Sequence, residues 1–348
     1  MSSILDNPQW MSEIDGGRMI DQIIGFPDHL SSSLCSEVDV EFTGKSICLC
    51  GMGGSAISGD ILSDCVIRES ECHMSVVRGI ELPGWVDKET LLVAVSYSGN
   101  TQEVLTVIDT ALRKGLNIVA VTSGGRLMEV CERESIPYTK VPKGYQPRAA
   151  LGYLLGSTAC VLERAGIIPI ASNMARLVEP LKKFQETFVP DVPTEENLAK
   201  RTAFDLEGTV PVIYAASEMR SAALRWHTQI NENSKMMAFT GEVPECNHNH
   251  IVGWMEGTKE TCCRPVFLRS KTDNPLTGEA MSVTIDFLNE GWKSPVVLDF
   301  AEETRIHNLI EAIMVGDFVS YYLAMLNGVD PLPVESIQDL KRRMFRSA

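Results

Sequence analysis

With 348 residues, the chain exceeds what one ordinary core holds and implies two domains or one unusually large one. Its 44% hydrophobic and 22% charged residues are those of a soluble globular protein. A net charge of −15 argues against nucleic acid or an anionic membrane as partner, so any anionic ligand must be held by local groups.

Ten cysteines are scattered without a CxxC pair. Cys48 and Cys50 alternate with Ile47 and Leu49 as small buried hydrophobes would, and the vicinal Cys262-Cys263 reads as structural. No leader segment and no bilayer-length apolar run stands out, which implies a cytoplasmic protein with free thiols.

In chain order, residues 17–40 read as leading helices. Ser46 to Cys50 is a strand, followed by Gly51-Met52-Gly53-Gly54-Ser55 and a helix from Ala56. Strands follow at Met74–Val77, Leu91–Val95, Asn117–Val121 and Tyr138–Val141, with helices after the third and fourth. Gln146-Pro147-Arg148 opens an apolar helix to about Ala165, and residues 171–208 read as charged helices broken at Pro190 and Pro193. A second alternating set runs from Val210 through Val266–Arg269 and Pro295–Phe300, ending in a long helix over Glu303–Asn327. This βαβ alternation predicts doubly wound parallel sheets, with ligands at the strands' carboxyl ends. The expected division is 1–165, a helical connector at 166–208, and 209–348.

The chain is organised around Leu91–Thr101. An apolar strand ends in Ser96-Tyr97-Ser98-Gly99-Asn100-Thr101, and a helical pattern then resumes. Three hydroxyls beside a helix N-terminus form a phosphate cradle. An ordinary N-cap explains one hydroxyl, not three. In the second half, Ala216-Ser217-Glu218-Met219-Arg220 replaces the glycine loop and no triple-hydroxyl turn is expected, so only the first half should hold phosphate.

Gly51-Met52-Gly53-Gly54-Ser55-Ala56 also fits a dinucleotide fingerprint, but Val76-Val77-Arg78 lacks the acidic residue that holds a ribose and suits only NADP. Alternatively the glycines bring backbone close to a substrate with Ser55 aimed at it, or simply form a tight turn. Arg148, at a helix start inside an apolar stretch, gains nothing from the dipole, which favours a role facing an anion over a surface charge. Glu232 lies between Asn231 and Asn233 where a helix ends, a poor place for a carboxylate on dipole grounds and a suitable one for a general base. Cys246, His248 and His250 could ligate metal if extended, without a completing ligand; His248, between two asparagines, is the better catalytic candidate. Lys341 reads by itself as a helix-end charge.

Taken together, the Gly51–Ser55 loop, Ser96–Thr101, Pro147–Gly152, Asn231-Glu232-Asn233 and Asn247-His248-Asn249 resemble, in order and spacing, the bifunctional phosphoglucose/phosphomannose isomerases, built from two sugar-isomerase (SIS) domains. The resemblance covers nearly the whole chain. It implies an α/β protein of two SIS-type doubly wound domains that needs no metal or redox cofactor. It further implies interconversion of glucose 6-phosphate and mannose 6-phosphate with fructose 6-phosphate through a cis-enediol. Ser96, Ser98 and Thr101 would hold the phosphate, with Gly53, Gly54 and Ser55 lining the sugar. Arg148 would stand near C1 and C2, and Glu232 would be the base. His248, contributed across a homodimer, and Lys341 would open the ring. The chain departs from the pattern at His250, where an acidic residue is expected. The competing expectations are a non-catalytic SIS-type sugar-phosphate sensor and an NADP-dependent oxidoreductase.

Overall fold

The computed structural model describes residues 3–257, 262–291 and 294–344. Short helices α1 (Pro8–Ile14), α2 (Met19–Ile24) and α3 (Phe26–Ser33) precede the first sheet. That sheet contains β1 (Ser46–Cys50), β2 (His73–Val77), β3 (Thr90–Ser96), β4 (Asn117–Thr122) and β5 (Tyr138–Lys140), all parallel, in the order β2-β1-β3-β4-β5. Helices α4 (Ile57–Val66), α5 (Gln102–Lys114), α6 (Gly125–Glu134) and α7 (Leu151–Arg164) are its crossovers and cover. Every residue of β3 is buried, as its continuous apolar run requires of a strand covered on both faces. The strand order reverses between β1 and β3, and that switch point opens a crevice at their carboxyl ends.

Helices α8 (Ile170–Ala175), α9 (Val178–Gln185) and α10 (Leu198–Leu206) lead to the second sheet. It contains β6 (Val210–Ala216), β7 (Phe239–Val243), β8 (Cys263–Ser270) and β9 (Val296–Phe300), all parallel in the order β7-β6-β8-β9. Helix α11 (Arg220–Asn233) joins β6 to β7, α12 (His250–Glu256) and α13 (Pro275–Glu290) follow, and α14 (Arg305–Leu326) and α15 (Glu335–Met344) end the described chain. Strand β7 is a difference from the sequence expectation. Phe239-Thr240-Gly241-Glu242-Val243 is too polar and glycine-marked to read as a strand, yet it pairs with β6 from Val212↔Phe239 to Ala216↔Val243.

The first four strands of one half correspond in topology to those of the other, so β8 occupies the place of β3. The turn there carries two hydroxyls and not three: Ser270 and Thr272 share a 2.8 Å hydrogen bond at the end of β8. Its anion, however, is internal. Asp273 Oδ2 accepts the Ser270 N–H at 2.8 Å, burial raises its carboxyl, and the charges of Arg68 and Arg305 partly oppose that rise. A carboxyl group of the chain thus already occupies this turn.

The main apolar core runs through both halves, from Leu5 and Ile47 to Ile213 and the middle of α14. Contrary to the sequence reading, α14 is long and apolar enough to cross a bilayer, but 94% of its apolar window is buried inside the protein. Its apolar residues face all directions because protein surrounds it. Trp226 on α11 donates its indole N–H to the Ala312 carbonyl at 2.7 Å, and its ring packs against Gly316. A Cβ at Gly316 would stand 2.3 Å from that fully buried ring. We therefore expect Gly316→Ala to lower the unfolding free energy by about 1–3 kcal/mol in urea titrations; an unchanged midpoint would contradict this packing.

Candidate active site

The chain leaves β3 through Tyr97–Asn100 and enters α5 at Thr101. Buried Ser96 donates its hydroxyl to Thr101 Oγ1 at 3.0 Å, and exposed Ser98 accepts the Asn100 N–H at 3.2 Å. Helix α5 receives no capping hydrogen bond from the Thr101 side chain, although Thr101 has the extended dihedrals of a capping residue. Its first amides and positive dipole end therefore stay available to an anion. The N-terminus of α6 is stitched to this turn: Leu127 N–H donates to the Gly99 carbonyl (2.9 Å), and Arg126 N–H to Asn100 Oδ1 (3.1 Å).

The glycine turn after β1 serves two neighbours. Ser55, 6% exposed, accepts the Tyr97 N–H at 3.1 Å and so ties this loop to the hydroxyl turn. A Cβ at Gly54 would lie 2.9 Å from the Arg148 Cα and 3.0 Å from the Pro147 carbonyl oxygen. That glycine brings two backbones together, whereas Gly53 is exposed with open space around it. Arg78, the residue that would suit a dinucleotide 2′-phosphate, is paired with buried Asp60 through both carboxylate oxygens.

Arg148 sits in the turn before α7 rather than inside a helix, and it is 2% exposed. Its Nε donates to Asn233 Oδ1 at 2.7 Å, and its Nη2 to the carbonyls of Pro331 and Leu332 at 2.8 and 2.9 Å. Nη1 remains, 3.5 Å from Glu232 Oε2. Burial lowers the guanidinium's proton affinity, and Glu232 pulls it back up. Glu232, on the last turn of α11 with about a quarter of its side chain exposed, shares a crevice of about 50 Å³ with Gly53, Gly54, Arg78, Arg148 and Gln229.

Sequence reasoning missed the groups behind this pair. Arg225, one helical turn and more upstream of Glu232, donates Nη2 to the Arg148 carbonyl at 2.8 Å. It is itself held by both oxygens of buried Asp317 on α14, at 2.9 and 2.8 Å. Asn233 donates to Ser320 Oγ at 2.9 Å, which aims its amide oxygen at Arg148. Lys235 adopts a positive φ and donates Nζ to the carbonyls of Glu232 (2.6 Å) and Pro333 (2.7 Å); burial and the Arg148 charge lower its proton affinity. An ionisable residue inside an apolar helix such as α14 was the available signal, and for Asp317 it points to a buried partner.

Two expected residues are not among those that line the crevice. His248 ends a short 3₁₀ turn (Glu245–His248) after β7 and is exposed, and Lys341 is exposed on α15. Because Glu245–His248 is coiled and not extended, Cys246, His248 and His250 do not form the alternating ligand row considered from sequence. Cys246 is buried, while His250 Nδ1 lies 2.9 Å from the Tyr214 hydroxyl, which also accepts the Trp254 N–H at 2.8 Å.

Comparison with known proteins bears on the family and the fold. Residues 195–344 match the family described as bacterial phospho-glucose isomerase C-terminal SIS domain. A bifunctional phosphoglucose/phosphomannose isomerase from Caldicellulosiruptor bescii is 34% identical over 94% of this chain and 98% of its own length. One from Aquifex aeolicus is 30% identical over 87% and 92%. Among solved structures, the tagatose-6-phosphate ketose/aldose isomerase of Escherichia coli superposes with a TM-score of 0.69 at 14% identity, covering 96% of this chain and 98% of that one. A two-sheet parallel fold, a glycine turn facing a hydroxyl turn and a near full-length match at this identity place the chain in the bifunctional phosphoglucose/phosphomannose isomerase family.

Proposed function

We propose that this protein interconverts glucose 6-phosphate and mannose 6-phosphate with fructose 6-phosphate, the activity named for its relatives. The observation that carries the reading is the Glu232 carboxylate 3.5 Å from the one uncommitted nitrogen of buried Arg148, in a crevice bordered by the glycine turn. The phosphate would rest on Ser96, Ser98 and Thr101 at the uncapped start of α5. Gly53, Gly54 and Ser55 would line the sugar between the phosphate and the base.

In the open-chain aldose, Glu232 takes the C2 proton as the electron pair forms the C1–C2 double bond of a cis-enediol. The proton returns from Glu232 to C1, and one hydroxyl proton passes from O2 to O1, which gives the ketose with no atom gained or lost. Arg148 Nη1 donates to the enediolate oxygens as charge grows on them; its Nε and Nη2 contacts fix the guanidinium plane in advance. Glucose and mannose 6-phosphates differ only at C2 and share this intermediate, so rotation about C2–C3 lets one base serve both. His248 and Lys341 would open the ring. As His248 does not line the crevice that holds Glu232, it would act as His248 of the partner subunit in a homodimer.

We expect Glu232→Gln to lower kcat by at least about 10³-fold on both aldoses, and to abolish deuterium incorporation at C1 and C2 in NMR assays in deuterated water; near-normal turnover would remove it as the base. Mixing that variant with His248→Gln should restore part of the activity through hybrid dimers. No recovery despite demonstrated subunit exchange would rule out a shared site. Asp317→Asn leaves Arg225 buried without its counter-charge, and should cost about 3–5 kcal/mol in urea unfolding. It should also lower kcat through Arg148, and an unchanged kcat would show that Arg225 does not position that residue.

A further inference from the structure

A second cluster of chemistry-bearing side chains lies away from the crevice, where β9 turns into α14. His307 and Glu311 are four residues apart on the first turns of that helix and so share a face. Glu302 approaches from the loop. His307 Nδ1 stands 3.2 Å from Glu302 Oε2, and its Nε2 stands 3.4 Å from Glu311 Oε1. One ligand atom from each of the three lies within 4.8 Å of the others.

Two of these groups are poorly explained by the surrounding protein. Glu311 is 7% exposed, yet among the described residues no donor makes a hydrogen bond to it. His307 Nε2 is buried without a hydrogen-bond partner among the described residues, with Glu311 Oε1 3.4 Å away. A buried carboxyl group without a donor keeps its proton unless a cation reaches it. The frame around the cluster is rigid: Glu302 N–H donates to Asn308 Oδ1 at 2.7 Å, and fully buried Asn308 donates back to the Glu302 carbonyl (3.0 Å) and to Ser270 (2.9 Å).

We propose that Glu302, His307 and Glu311 bind one divalent transition-metal ion of the zinc class, as a structural clasp independent of isomerisation. One imidazole and two carboxylates suit Zn²⁺, Co²⁺ or Mn²⁺, with water completing the shell. Ligands at about 2.1 Å from an ion stand at most about 4.2 Å apart. The site therefore closes by a small movement, and Glu302, whose side chain is 46% exposed, is free to make it. The clasp would pin the β9–α14 corner, and α14 carries Asp317 and Ser320 behind the active crevice.

The test titrates Co²⁺ into the tag-free, chelator-treated full chain. We expect one equivalent bound with visible d–d bands and no thiolate-to-cobalt charge transfer, the signature of cysteine binding. Glu302→Gln, His307→Gln and Glu311→Gln should each weaken binding at least about tenfold. Excess Zn²⁺ should raise the wild-type Tm by at least about 3 °C and leave that of Glu302→Gln unmoved, with the Glu302→Gln isomerase rate unchanged. Absence of stoichiometric uptake, a spectrum dominated by thiolate, or equal affinity in Glu302→Gln would overturn the assignment. Should either substitution on α14 unfold the protein, Glu302→Gln on the loop decides alone.

Discussion

A guanidinium taken out of water must find acceptors, and the site is arranged around how Arg148 finds them. Asn233 closes α11, the carbonyls of Pro331 and Leu332 follow α14, and Glu232 supplies the opposite charge. Behind it the pair of Arg225 and Asp317, fixed by two hydrogen bonds, grips the Arg148 main chain. A buried ion pair of this kind is weak evidence for stability and stronger evidence for a defined geometry. The stability comes instead from the shared apolar core, in which α14 is enclosed by both halves.

The two halves show one topology put to two uses. After β3 the hydroxyl turn leads into an uncapped helix, and its side chains bond chiefly to one another and to local amides. After β8 an equivalent turn holds Asp273, an anion carried by the chain itself. The two turns thus differ in what meets the local amides: hydroxyls alone after β3, and a carboxyl group of the chain itself after β8.

Much of the fold was legible in the sequence because buried parallel strands are continuous apolar runs: Leu91–Val95 and Asn117–Val121 lie within β3 and β4. Glycine and hydroxyl turns were legible too, as their special residues are local. Strand β7 was not, since an edge strand with Thr240, Gly241 and Glu242 lacks that signature. The contacts of Arg225 with Asp317 and of Lys235 with Pro333 were equally hidden. They join residues far apart in the chain, and no local pattern reports a partner chosen by tertiary packing. Ser55 and Gly54 were noticed but given ligand-facing duties. The fold uses them in part to join loops, a use that the same residue types serve equally well.

The carbonyls of Pro331 and Leu332 lie beyond both sheets and the core helix in chain order. During synthesis the guanidinium they receive has been in place since before α7, and its last acceptors emerge only after α14 has left the ribosome. The shell around this buried arginine is thus finished by a segment made late, and a nascent chain lacking it carries a guanidinium still seeking water. That shell would close in a single step, at the moment the segment docks.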